Sequence, residues 1–291
     1  MSKTKQIERI VPPPSPHMVG DGFRVHNFFP GVMSIERMSP FLLMDYAAEF
    51  YFPPSDKQRG VGVHPHRGFE TVTLAIQGRV AHHDSAGNSG VIGTGDVQWM
   101  TAGSGILHKE YHEKEFTASG GLFQMVQLWV NLPAKHKMTA PKYQPITHDQ
   151  IPKIEIPNNG GSIEVVAGNF DNVTGAASTF SPVNLIKFHL KSGVKYSFDM
   201  PENYNTGIII LNGSLLVNGE KTALRDHFVL FRNVGETIEV EALEEVSFLV
   251  LSGEPINEPI APYGPFVMNT REELVQAYND FENGKFGYLE D

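Results

Sequence analysis

Cysteine is absent from this chain of 291 residues. That excludes a disulfide scaffold, a thiol nucleophile, a zinc ribbon and a thiolate-held iron–sulfur cluster. Basic residues are in the minority, 23 against 33 acids, for a formal charge of −10. Nothing therefore draws the chain in bulk to nucleic acid or to an anionic membrane surface. No apolar run approaches the roughly 18–20 residues that span a bilayer. The first ten residues, Met1 to Ile10, are polar and lack the apolar core of a signal peptide, so a cytoplasmic protein is expected. What is present is 41% hydrophobic residues, enough for a packed core, and a length that suggests about two domains. Twelve histidines are the one compositional pointer to chemistry.

Short β-type runs recur along the chain, among them Thr71–Gln77, Leu122–Val130, Leu185–Leu190, Gly207–Leu211 and Val246–Leu251. Glycine, proline and the Asn-Gly pairs Asn212-Gly213 and Asn218-Gly219 punctuate them. Asn-Gly between apolar runs predicts hairpins, and the pattern as a whole predicts an all-β sandwich or barrel. One helix is expected near the end. Thr270 and Glu273 form a capping box, Leu274, Ala277, Tyr278 and Phe281 make one apolar face, and Gly284 stops it. The segment Leu132–Pro157 holds five prolines and little periodicity, which marks it as a linker. The division is then an N-terminal domain over 1–135, a linker region over 136–157 and a C-terminal domain with the helix over 158–291. Thr71–Gly78 (TVTLAIQG) and Gly207–Gly213 (GIIILNG) each close on glycine, which suggests duplication of one β-barrel. Only the first copy is preceded by a histidine pair, since Pro201–Asn205 offers none.

Six of the histidines lie between residues 64 and 112: His64, His66, His82, His83, His108 and His112. In a strand, residues i and i+2 share a face, so His64 and His66 project together, as do His108 and Glu110. Two such pairs on neighbouring strands would bring three imidazoles and a carboxylate into one cavity, a donor set suited to a divalent metal. Pro65 cannot donate to a ladder, so its strand belongs at an edge or near a barrel mouth. His82 and His83 face opposite ways and read as structural or surface residues. His112 shares the face of His108 only if the strand continues. Glu70, four residues beyond His66, rivals Glu110 for the carboxylate position, and spacing alone leaves that choice open. The aromatics Phe28, Phe29, Tyr51 and Phe52 read as core. No phosphate loop and no Gly-x-Ser-x-Gly elbow occurs.

The stretch His64-Pro65-His66-Arg67-Gly68-Phe69-Glu70-Thr71-Val72, and the longer one from Gly95 to Glu110 (GDVQWMTAGSGILHKE), resemble the two signature stretches of the pirin family, a branch of the cupins. Tyr263–Thr270 and Gly284–Gly287 also look like bacterial pirins. The resemblance implies a bicupin: two double-stranded β-helix (jelly-roll) barrels, with one metal ion in the N-terminal barrel. It implies His64, His66, His108 and Glu110 as ligands and favours Glu110 over Glu70. The expected metal is iron(II), which is six-coordinate and keeps two positions open beside four protein ligands, whereas tetrahedral zinc keeps none. Some pirins are similar to quercetin 2,3-dioxygenases, which open a flavonol ring with dioxygen and release carbon monoxide. In that reading Glu110 is also the catalytic group, accepting the proton of the flavonol 3-hydroxyl. Other pirins are metal-dependent regulators that bind a transcription factor or a metabolic enzyme, and this is the alternative. The acidic charge fits a protein partner better than nucleic acid.

Overall fold

The structure, a computed structural model, describes residues 3–291. They form two compact units. The first comprises residues 15–36, 41–148 and 256–291. A seven-stranded sheet runs in the order Lys142–Ile146, Val97–Thr101, Phe69–Gln77, Gly121–Asn131, Phe41–Phe52, Phe23–Phe29 and His17–Val19. A four-stranded sheet, Gly60–His66, Ile106–His112, Val80–Asp84 and Ser89–Ile92, completes the barrel. All pairings within both sheets are antiparallel. Period-two patterning sets the inner faces: in Ile106–His112 every second residue is buried and those between are half-exposed.

The second unit comprises residues 3–14, 37–40 and 149–255. Its seven-stranded sheet runs Ile7–Val11, Phe228–Phe231, Asn205–Asn212, Val246–Gly253, Val183–Leu190, Gly161–Ala167 and Lys153–Ile156. Its four-stranded sheet runs Lys195–Asp199, Thr237–Ala242, Leu215–Val217 and Lys221–Ala223. The same seven-plus-four architecture thus appears twice, as two all-β barrels. The interior of the second is continuous hydrocarbon, with Ile163, Phe188, Ile208, Val229 and Phe248 wholly buried.

Three details depart from the sequence expectations. The units are not the linear pieces 1–135 and 158–291, since the segment before residue 15 pairs with Phe228–Phe231 and residues 256–291 cluster with the first unit. The stretch 136–157 is no bare linker. It supplies one edge strand to each large sheet, Lys142–Ile146 and Lys153–Ile156, and Pro145 is tolerated in the first of these because it lies at an edge. Asn212-Gly213 closes no hairpin but carries the chain from one sheet to the other. Gly213 has φ +74°, and a Cβ there would lie 2.3 Å from the Glu245 carbonyl oxygen. Asn218-Gly219 does close a hairpin, between Leu215–Val217 and Lys221–Ala223, with both residues at positive φ.

A short helix, Lys114–Ser119, also lacked a sequence signal; it is six residues long and capped by Glu113. The C-terminal helix forms over Arg271–Glu282 with the expected capping box: Thr270 Oγ1 accepts from Glu273 N at 3.2 Å and Glu273 Oε2 accepts from Thr270 N at 3.0 Å. Ala277 is its buried centre, while Phe281 is 37% exposed. Phe28, Phe29 and Phe52 are core, but Tyr51 is exposed.

Each unit also holds one fully buried lysine. Lys137 Nζ donates to Gly68 O (2.8 Å), Asn131 Oδ1 (2.7 Å) and Val267 O (2.9 Å). Lys5 Nζ donates to Pro201 O (3.0 Å), Glu202 O (3.2 Å) and Gly235 O (3.2 Å). Three acceptors match the three donors of an ammonium, which is what allows its burial. Burial still pushes both lysines down to about 8.

Candidate metal centre

His64 and His66 stand on Gly60–His66, the edge strand of the small sheet, and His108 on the neighbouring Ile106–His112. His108 lies directly opposite His64 in the ladder. The register slips between His108 and Glu110: Lys109 between them opposes two residues on the partner strand, Gly62 and Val63. This bulge leaves Val63 N unpaired in the ladder, and it donates to Asp291 Oδ1 at 3.1 Å. The edge position is the one expected for a strand containing Pro65.

The three imidazoles converge. One nitrogen of each lies within 4.8 Å of the others, and the ring centroids are 4.2 to 4.8 Å apart. His64 Nδ1 donates to Gly62 O (2.9 Å) and His66 Nδ1 to Pro265 O (3.3 Å). A carbonyl can only accept, so both rings carry their proton on Nδ1 and present a bare Nε2. Both nitrogens of His108 are buried without a protein partner. Burial depresses all three groups below the ordinary histidine range, His66 and His108 strongly. They are neutral, the form that ligates metal. Three neutral imidazoles aimed at one point, with no protein acceptor between them, fit a divalent cation.

Glu110 is not one of that convergent group. Its Oε1 accepts from Thr73 Oγ1 (3.2 Å) and its Oε2 from Gln127 Nε2 (3.5 Å). It lines the same cavity as His64 and His66, and without a cation nearby burial pushes its carboxyl up to about 7. Glu70 points the other way. The chain turns at Arg67-Gly68, with Gly68 at φ +89°, so face parity is not carried from His66 to Glu70. Thr73 faces the site, and Glu70, three residues away, lies on the opposite side of its strand. There Glu70 accepts from Thr101 Oγ1 at 2.8 Å.

The remaining histidines separate by strand parity. The strand does continue to His112, which is buried, bonds to Gly22 O (2.7 Å) and packs edge-on to Phe52 at 4.6 Å, away from the triad. His83 stacks on Tyr111 on the outer face, its Nδ1 2.7 Å from the phenol oxygen. His82 is no surface residue: it is 1% exposed, faces inward and stacks on Tyr143 at 4.5 Å.

The cavity has a volume of about 360 Å³, within the range of small-molecule sites. Phe23, Leu43, Met125 and Trp129 form its apolar wall, and Asp45 and Gln127 are polar groups on it. Trp129 stacks on Phe69 at 4.2 Å and meets His66 edge-on at 5.2 Å. The turn after His66 is also held. Arg67 pairs with Asp280 of the C-terminal helix at 2.9 Å, donates to Ser104 O at 2.7 Å and lies over the Phe286 ring at 4.7 Å. Sequence spacing alone gives no sign of Ser104 and Asp280, since they are 37 and 213 residues away.

Two seven-plus-four β-barrels, one with a histidine triad in its interior, define a bicupin. The pirin family model matches residues 22–130 and the model of the pirin C-terminal cupin domain matches residues 185–287. The chain belongs to the pirin family. It is 48% identical over 270 residues to a Pseudomonas aeruginosa protein named "Putative quercetin 2,3-dioxygenase", covering 93% of this chain and 94% of that one. It is 35% identical over 274 residues to human pirin, covering 92% and 90%. A crystal structure of quercetin 2,3-dioxygenase from Acinetobacter baumannii superposes with a TM-score of 0.94 at 48% identity, covering 99% of this chain and 100% of that one. Among the described residues no helix is long and apolar enough to cross a membrane.

Proposed function

We propose that this pirin is a metal-dependent dioxygenase of the quercetin 2,3-dioxygenase type, acting on a flavonol or a similar planar phenol with iron(II) as its metal. The observation that carries the reading is the triad: three neutral imidazoles converge beside an apolar cavity of about 360 Å³. His64, His66 and His108 hold the ion, and Glu110 completes the set at the cavity wall. Nitrogen and oxygen donors without thiolate suit a hard or borderline ion such as iron(II). The bound ion supplies positive charge for an oxyanion and, as iron, an electron path to dioxygen.

The chain's own groups do the rest. Trp129, Phe23 and Leu43 bury the rings of a planar substrate, and the aromatic face of Trp129 favours offset stacking. Glu110, held by Thr73 and Gln127, stands where it can accept the proton of a substrate hydroxyl as the oxyanion forms. The apolar wall lowers the polarity around that anion and so strengthens its attraction to the ion.

The test is aerobic turnover of quercetin by iron-loaded protein, followed through loss of the flavonol absorbance and release of carbon monoxide. Turnover by the wild type and its loss in His108→Ala are expected. An inactive wild type, or undiminished turnover in His108→Ala, overturns the reading.

A further inference from the structure

The interior of the first barrel carries polar atoms that the triad leaves unused. Thr71 Oγ1, Gln98 Nε2 and both nitrogens of His82 are buried without a protein hydrogen-bond partner, as are both nitrogens of His108. All four residues are at most 1% exposed.

The strand registers place these groups together. Thr73 Oγ1 bridges the two sheets to Glu110 Oε1 at 3.2 Å. Gln98 is the ladder neighbour of Thr73, and His82 is the ladder neighbour of Glu110. Tyr143, beside the Gln98 strand, stacks on His82, so both flank the Thr73–Glu110 bridge on the same side. Thr71 is two residues before Thr73, on the same inner face, and the ring of His82 is 6.4 Å from that of His108. A metal at the triad takes one nitrogen of His108. Five polar atoms then remain, whereas buried polar groups in native proteins are paired, with ordered water where protein supplies no partner.

We propose that His82, Gln98 and Thr71 form a buried water site behind the triad, whose water bonds the second nitrogen of His108 and fixes that ring's tautomer and orientation. The inference rests on the triad reading. His64 and His66 have backbone carbonyls for this purpose, and His108 has only the water. The ligand class is water rather than an anion, because the Glu110 carboxylate is a ladder neighbour and no cationic side chain is among these groups. It is not a second metal, because His82 alone adds an imidazole and the Glu110 carboxylate is already assigned to the ion at the triad. His82 is a positioning residue here, acting through His108.

The experiment pairs a high-resolution crystal structure of the metal-loaded protein with metal affinities of variants. Density for a water about 2.7–3.2 Å from the second nitrogen of His108 is expected. His82→Phe keeps the stack on Tyr143 and should weaken metal binding about 10-fold or more, while the metal-free melting temperature does not fall. His82→Gln should restore most of the affinity. If His82→Phe does not fold, Gln98→Met and the isosteric Thr71→Val read the same loss. A dry interior, an unchanged affinity in these variants, or a second metal equivalent at His82 overturns the proposal. If the wild type binds no metal, the triad reading falls separately. The metal-free crystal then decides the water site, which it supports with density and overturns without.

Discussion

The two barrels share one strand order, except for one edge strand of the large sheet (Lys142–Ile146 in one, Ile7–Val11 in the other), and differ in what fills them. Counting from the glycine that ends the matching strands, Gly78 in one and Gly213 in the other, the registers equate their positions. His64 then corresponds to Phe198, His108 to Ile238 and Glu110 to Val240. His82 corresponds to Val217, Thr73 to Ile208, Gln98 to Val229 and Gln127 to Val250. Every counterpart belongs to the hydrocarbon core of the second unit. Thr71 alone keeps its type, as Thr206, and there its hydroxyl is paired with Ser252 Oγ at 2.9 Å. Apart from that threonine, the polar set is present in one barrel and replaced by hydrocarbon in the other. That is the pattern expected when each buried polar group is tolerable only with the others, or with the ligand they hold.

The largest predicted effect comes from breaking that division. Val240→Glu places a carboxylate in the apolar barrel with neither a hydroxyl nor an amide to receive it. An unpaired buried charge costs several kcal/mol, about 3–5 by analogy with broken buried pairs. The second unit should melt far earlier, or fail to fold, by calorimetry. The mirror change, Glu110→Val, should leave the metal-free melting temperature level or higher while weakening metal binding. A well-folded Val240→Glu protein would show that the interior of the second barrel accepts a carboxylate without a partner.

The buried lysines sharpen the comparison at a lower energy. Lys137→Met and Lys5→Met each orphan three acceptors, and each should cost about 3 kcal/mol, read as a lower denaturant midpoint. Their effects on metal should differ. Lys137 holds the Gly68 carbonyl, two residues beyond His66, whereas Lys5 binds carbonyls of the barrel without a triad. Only Lys137→Met should weaken metal binding, by about 10-fold. Equal metal affinities in the two variants would mean that the ligand strand keeps its geometry without that clamp.

Period-two reasoning sufficed for much of this. His64 with His66 and His108 with Glu110 share faces because both strands are regular at those pairs, and the edge position of Pro65 follows from its missing N–H. It failed wherever the chain changes sheet. Glu70 was a rival ligand only under the assumption of one continuous strand, and the Arg67-Gly68 turn cancels that parity. The second-barrel counterpart of His64 is not in Pro201–Asn205 but at Phe198, because strand pairing, and not nearness to the next β-run, sets the equivalent position. The inward face of His82 was equally hidden, since adjacent histidines disclose opposite faces but not which is the inner one. Pairings across the fold, such as Arg67 with Asp280, leave no local pattern at all.

Glu70 supplies the smallest effect and a titration that separates it from the metal site. Its counterpart in the second barrel is Asn205, whose amide bonds Ser39 O at 2.7 Å. Burial pushes the Glu70 carboxyl up to about 7, against an ordinary value of 4.5. Between those values the folded chain holds a proton that the unfolded chain has lost. The stabilisation from Glu70 is therefore full below about pH 4.5 and disappears as the pH rises through about 7. Glu70→Gln, which borrows the amide chemistry of the second barrel, removes this titration. The melting temperature of wild type minus variant should be most positive near pH 5 and fall steadily by pH 8, with metal content unchanged. A difference that stays flat with pH would mean that Glu70 is ionised in the folded protein. A difference accompanied by metal loss would return Glu70 to the ligand set.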